Sequence, residues 1–176
     1  MASLHKSRGY IALLGDLIDS FASNAISNSG LEARVLDVQT PYHVTVITKE
    51  ELKGIPEGNL TNLQVDPTRL FLAGVGGSRS KEVYFGVVIW AEGQQFRKRL
   101  GLPPKNFHIT LTSRDNHDMD KGIDSLLPGQ FPDSPSPDFL DHLVFTLHLF
   151  GQYTKSQHYA THLMNLLPDS HRGYLR

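Results

Sequence analysis

A chain of 176 residues that is 39% hydrophobic has enough apolar material for one well-buried domain, and too little length for two ordinary ones. Seventeen basic against eighteen acidic residues leave a net charge of −1, which excludes a global positive field for long duplex nucleic acid and favours a small or single-stranded ligand. The absence of cysteine excludes disulfides, a cysteine nucleophile and thiolate metal centres.

No apolar run approaches the roughly 20 residues of a membrane-spanning helix, and residues 1–8 lack the apolar core of a secretory signal. The chain is therefore expected to be intracellular, cytoplasmic or nuclear, with no membrane partner. In 10–26, apolar residues at Ile11, Leu14, Leu17, Ile18, Phe21, Ala22 and Ala25 alternate with Asp16, Asp19 and Ser20. That pattern predicts an amphipathic helix closed by Asn28-Ser29-Gly30. Segments 35–38 and 42–48, rich in β-branched and aromatic residues and separated by Thr40-Pro41, predict strands. A short helix over 49–54 and a turn at 56–59 follow.

Segments 70–75 and 83–90 predict two strands joined by a loop over 76–81. A helix over 91–100 stops at Gly101 with Pro103-Pro104 beyond it, and a strand over 107–112 comes next. The run 129–137, with three prolines, predicts a linker or surface loop. Beyond it, 139–153 and 156–167 predict two helices, and Pro168-Asp169-Ser170 the start of a third. The chain stops soon after, at Arg176, as a fragment of a longer protein would.

Two strand segments share a pattern: His43-Val44-Thr45-Val46 and His108-Ile109-Thr110-Leu111, which begin 65 residues apart. Side chains alternate across a strand, so His43 and Thr45 share one face, as do His108 and Thr110, while Val44, Val46, Ile109 and Leu111 take the other. Each strand offers an imidazole and a hydroxyl on a polar face and keeps an apolar face to pack. Displacing an alkoxide from a phosphodiester with water needs one group to take a proton and another to give one, and imidazole suits both roles near neutral pH. Two hydroxyls on the non-bridging oxygens would hold the phosphate without a metal.

With ten threonines and nine histidines, a Thr two places after a His arises by chance about half a time, so two occurrences in apolar strand context are informative. A looser match, His5-Lys6-Ser7, sits in a charged segment without a strand signal and is set aside.

Paired His-apolar-Thr-apolar motifs, the second preceded by a helix and the stretch Gly101 to Phe107, resemble the two-histidine (2H) phosphoesterase superfamily. The resemblance covers about 10–128. It implies an α+β, bilobal fold with two antiparallel sheets flanking a central groove, outer helices, and here a C-terminal helical extension. It further implies His43 and His108 as the catalytic pair, Thr45 and Thr110 as phosphate ligands, no metal and no cofactor. The implied activity is hydrolysis of 2′,3′-cyclic phosphates on RNA ends or small nucleotides to a 2′-phosphate. Cleavage of 2′–5′ linkages or of a cyclic ADP-ribose phosphate, and a non-catalytic module binding RNA ends or proteins, stay open as alternatives.

The domain organisation expected is a catalytic domain over 1–128, a Pro-rich loop over 129–137 and a helical extension over 138–176. The tail, with Tyr153, Tyr159, Ala160, Pro168 and Tyr174, resembles about one tetratricopeptide-type helical hairpin, which implies a protein partner or packing on the catalytic domain.

Other candidates read more simply as structure. His158 and His162 could share a helix face but lack a third ligand, and His117 to Asp120 reads as a polar turn. Gly74 to Ser78 lacks the following helix of a phosphate loop. At least some of Tyr84, Phe85 and Trp90 are expected in the core, and Arg114 on a solvated loop.

Overall fold

The computed structural model describes residues 2–36, 41–60, 68–115 and 118–154. Six strands form one sheet in the order β1-β2-β3-β6-β5-β4, every neighbouring pair antiparallel. They are β1 (Ala2–Ser7), β2 (Tyr10–Gly15), β3 (Val44–Ile47), β4 (Phe71–Ser78), β5 (Val83–Ile89) and β6 (His108–Thr110). The helices among the described residues are α1 (Asp16–Ser29), α2 (Lys49–Lys53), α3 (Ala91–Arg99) and α4 (Pro137–Thr154).

The first fifteen residues depart from expectation. Residues 2–15 form a hairpin, and the helix predicted from Tyr10 begins only at Asp16. Arg8 and Gly9 both have positive φ, 48° and 88°, and Ser7 pairs with Tyr10, so the loop is a two-residue turn whose twist suits paired strands. Lying between β1 and β3, β2 is covered on both edges, and its run Ile11 to Leu14 has strand rather than helix surroundings. Gly15, at φ 137°, makes the break into α1. The strand expected at 35–38 is instead a 3-10 turn at Ala33–Val35 followed by an isolated bridge from Leu36 to Thr112; 37–40 lie outside the described residues.

Where two sheets were expected there is one. The halves β1-β2-β3 and β4-β5-β6 join through β3 and β6 at a single register pair, Val44 opposite Ile109. The two motif strands pair with each other, so the sheet runs continuously across the middle of the molecule instead of parting into two walls.

One face of this sheet packs against α1. Ile18, Ala22 and Ala25 join Val44, Val46, Ile109, Leu111, Trp90 and Phe107 in the main core. On the opposite face α4 lays Phe139, Leu140, Leu143 and Leu147 on Ala73, Phe85, Val87 and Ile89. Phe85 pairs with Thr110 and Val87 with His108, and cross-strand partners project to one face. Helix α4 thus covers the β4–β5 half of the face that carries the motif histidines and leaves the β3–β6 half open.

The segment leading into the Pro-rich run, Leu126 to Gln130, lies along the outer edge of β4, where the Val75 N–H donates to Gln130 Oε1 at 3.1 Å and the Leu127 N–H to the Val75 carbonyl at 2.9 Å. It covers an edge that would otherwise invite strand pairing. The glycine run 74–77 is part of β4 rather than its turn, which spans 79–82. A Cβ at Gly77 would come within 2.1 Å of the Val83 carbonyl, so the run serves close strand packing. The helices predicted from 156 onward fall outside the described residues.

Because Leu143 is fully buried at the centre of the α4 contact, Leu143→Ala is expected to cost about 2–5 kcal/mol. Urea unfolding checks this; a loss well below about 1 kcal/mol would mean that α4 docks without sharing the core.

Candidate active site

Carrying the Val44–Ile109 register one residue each way sets His43 across from Thr110 and Thr45 across from His108. Each imidazole faces the hydroxyl of the other motif, and directly opposed Cβ atoms in such a ladder are about 5 Å apart. All four side chains line one cavity of about 780 Å³. They sit on its floor, since their strand neighbours Val44 and Ile109 are fully buried on the far face.

The two histidines are held alike. His108 Nδ1 lies 2.9 Å from the Asn106 carbonyl, and the His43 ring bonds to the Pro41 backbone, two residues upstream in each case. A carbonyl only accepts, so in His108 Nδ1 carries the hydrogen and, in the neutral ring, Nε2 keeps a free lone pair. Burial lowers the His43 pKa against the pull of the Pro41 carbonyl. Burial also lowers that of His108; the Asn106 carbonyl and Asp115 oppose it, Lys121 and Lys105 add to it, and together they bring it to about 4. Tyr10 lies against His43 with ring centroids 5.7 Å apart, and Phe85 meets His108 edge-on at 6.0 Å.

The family comparison fits this geometry: residues 9–117 match the family described as Swiss Army Knife, 2H phosphoesterase domain. The chain belongs to the 2H phosphoesterase superfamily. Among curated proteins and solved structures nothing matches it.

In this 2H phosphoesterase Thr48 and Thr112, which follow the two motifs along the chain, serve the backbone, although both border the cavity. Thr48 caps α2 in a reciprocal box with Glu51, at 3.2 and 3.0 Å. The Thr112 hydroxyl donates to the Arg114 carbonyl at 2.7 Å and accepts from the Tyr84 N–H at 3.2 Å.

A buried arginine ties the supports of both motifs together. Arg97, 1% exposed on α3, donates to the Val46 carbonyl at 2.7 Å and the Pro103 carbonyl at 2.9 Å, and forks onto Glu51 at 2.9 and 2.6 Å. Val46 follows Thr45 on β3, and Pro103 begins the approach to His108. Burial alone would raise the Glu51 carboxyl, but hydrogen bonds from Arg97 and Thr48 hold it at about 2.

Several cavity residues escaped the sequence reading. Tyr10 arrives from β2, Lys105 from the irregular segment before β6, and Asp115 and Lys121, paired at 2.8 Å, from the loop after it. None has a periodic signature, because each reaches the cavity from a different element. Met119 and Asp120, at the end of the turn read as merely polar, also line it. Trp90, Phe85 and Tyr84 are buried in the core as expected, and Arg114 is exposed and not among the lining residues. His117, His158 and His162 lie outside the described residues. Among the described residues no group of three or more His, Asp or Glu is arranged to hold a metal, and no helix is long and apolar enough to cross a membrane.

His108 also makes stability depend on pH. Its folded pKa, about 4, is below the unfolded value of 6.5, so below pH 6.5 the unfolded chain takes up a proton that the folded chain refuses. This contribution is complete above pH 6.5 and is lost as pH falls toward 4, by about 3 kcal/mol. Urea midpoints between pH 7 and 4 should fall accordingly, and His108→Asn should flatten the curve. An unchanged slope in that variant would assign the dependence elsewhere.

Proposed function

We propose that this 2H phosphoesterase is a metal-independent 2′,3′-cyclic phosphodiesterase, acting on RNA ends or nucleotides and leaving a 2′-phosphate. The observation that carries the reading is the square of His43, Thr110, Thr45 and His108 on the floor of one cavity. A cyclic phosphate seated there receives the Thr45 and Thr110 hydroxyls on its non-bridging oxygens, where charge grows as the transition state forms. Water enters on one side and the ribose 3′ oxygen leaves on the other.

The tautomer and the lower pKa of His108 suit the base: its Nε2 lone pair takes a proton from water as the P–O bond forms. His43, whose cation burial disfavours less, gives a proton to the 3′ oxygen as the P–O3′ bond breaks. Proton and electron balance closes with one water consumed, and a second proton exchange with solvent restores both rings.

The test is hydrolysis, in excess chelator, of a 2′,3′-cyclic nucleoside monophosphate and of a short RNA with a cyclic end, by wild type and by His43→Ala and His108→Ala. Turnover to the 2′-phosphate by wild type alone supports the reading. Turnover of only a 2′–5′ dinucleotide or a cyclic ADP-ribose phosphate would keep the chemistry and change the substrate. Tight binding without turnover, indifferent to both substitutions, would replace it with a binding module.

A further inference from the structure

Lys105 is held in place with unusual care for a residue outside any regular element. The side-chain amide of Gln94, 2% exposed on α3, is spent on its backbone in both directions: Nε2 donates to the Lys105 carbonyl at 2.6 Å, and the Lys105 N–H donates to Oε1 at 3.0 Å. One turn further along α3, Arg97 holds the Pro103 carbonyl. Two buried polar side chains thus define the path of 103–105, and the side chain they present lines the cavity beside His108.

The ammonium so placed has no ion-pair partner among the described residues. Acids that could serve are engaged: Glu51 with Arg97, Asp115 with Lys121, and Asp120 with the Asn106 side chain at 3.3 Å and the Gly122 N–H at 2.9 Å. Burial lowers the Lys105 pKa, and the nearby charges of Arg97 and Lys121 lower it further, outweighing the pull of Glu51. A partly desolvated cation facing a cavity is relieved by an anion that enters it.

The reacting phosphate already has two hydroxyls and two imidazoles between the strands. Lys105 and Asn106 reach the cavity from the segment before β6, and Asp115 and Lys121 from the loop after it, and the cavity, at about 780 Å³, is in the upper part of the range of small-molecule sites. We infer that Lys105 binds a second anionic group of the substrate, a phosphate carried on the nucleotide away from the one that reacts. This deepens the cyclic-phosphodiesterase reading and rests on it for the place of the first phosphate. The preferred substrate class is then a cyclic nucleotide or oligonucleotide end bearing a further phosphate within the cavity, rather than a bare nucleoside cyclic phosphate.

The experiment is calorimetric binding of adenosine 2′-monophosphate and adenosine 2′,5′-bisphosphate to wild type, Lys105→Met and Lys105→Arg. Alongside it, kcat/KM is measured on adenosine 2′,3′-cyclic monophosphate with and without a 5′-phosphate. Wild type should bind the bisphosphate at least about 10-fold more tightly, as one charge-assisted contact allows. Lys105→Met should reduce that preference to about 2-fold or less, weakening the bisphosphate far more than the monophosphate, and Lys105→Arg should keep most of it. In turnover the same preference should appear in KM rather than kcat. No preference in wild type, or equal weakening of both ligands in Lys105→Met, overturns the proposal. Absence of turnover with the binding preference intact would instead sink the catalytic reading and leave the second anion site standing.

Discussion

Replacing either histidine by alanine is expected to lower kcat/KM on a 2′,3′-cyclic nucleotide by about 10²- to 10⁴-fold, the usual worth of a positioned proton-transfer group. Both histidines are needed because one proton must leave the attacking water and another must reach the departing oxygen. The pH profile carries a sharper signature. In the free protein the His108 pKa is about 4 and that of His43 lies below 6.5. A base must be neutral and an acid protonated, so kcat/KM should rise through about pH 4 and fall again below pH 6.5, giving an optimum on the acid side of neutral. Bound phosphate adds negative charge beside both rings and stabilises their cations, so the limbs of kcat should move to higher pH. His108→Ala should abolish the limb near pH 4 in whatever activity is left. Full activity in both alanine variants would end the two-histidine mechanism, and a profile flat from pH 4 to 7 would refute the assignment of pKa values.

Arg97→Met is expected to destabilise the fold by about 3 kcal/mol or more, the cost of breaking a buried ion pair by removing one partner. It strands the Val46 and Pro103 carbonyls as well as Glu51. Glu51 contributes stability above pH 4.5, its unfolded value, that is lost as pH falls toward its folded value of about 2. Without Arg97, burial acts on Glu51 unopposed by its main partner, and this acid-dependent component should vanish or reverse. Urea unfolding at pH 7 and pH 3 reads both effects. The double variant Arg97→Met/Glu51→Met should be less destabilised than the sum of the single ones, since it leaves no orphaned charge. Additivity would mean that the pair is not coupled. Any folded Arg97→Met should also lose turnover, because the guanidinium spans the supports of both motifs.

What was legible in the sequence is what depends on neighbours along the chain. The short helix after β3, α3 with its stop at Gly101, the β4–β5 hairpin and α4 follow from periodicity, caps and turn residues, all local effects. The β1–β2 hairpin was not legible because Ile11, Leu14, Leu17 and Ile18 fit a helical stripe as well as a covered strand. Only the two-residue turn at Arg8-Gly9 and the break at Gly15 decide between them.

By itself, the sequence determined that His43 shares a face with Thr45 and His108 with Thr110, since alternation along a strand needs no tertiary information. It also carried the membership in the 2H phosphoesterase superfamily, which those motifs announce and the match over 9–117 bears out. Only the tertiary structure decided that the two motif strands pair, so that one sheet replaces two and each histidine meets the other motif's threonine. It alone brought Tyr10, Lys105, Asp115 and Lys121 to one cavity and set Arg97 beneath both motifs. Strand pairing and burial depend on groups tens of residues apart, and the energies that select them, apolar contact and the cost of an unpaired buried charge, belong to the assembled core rather than to any stretch of chain.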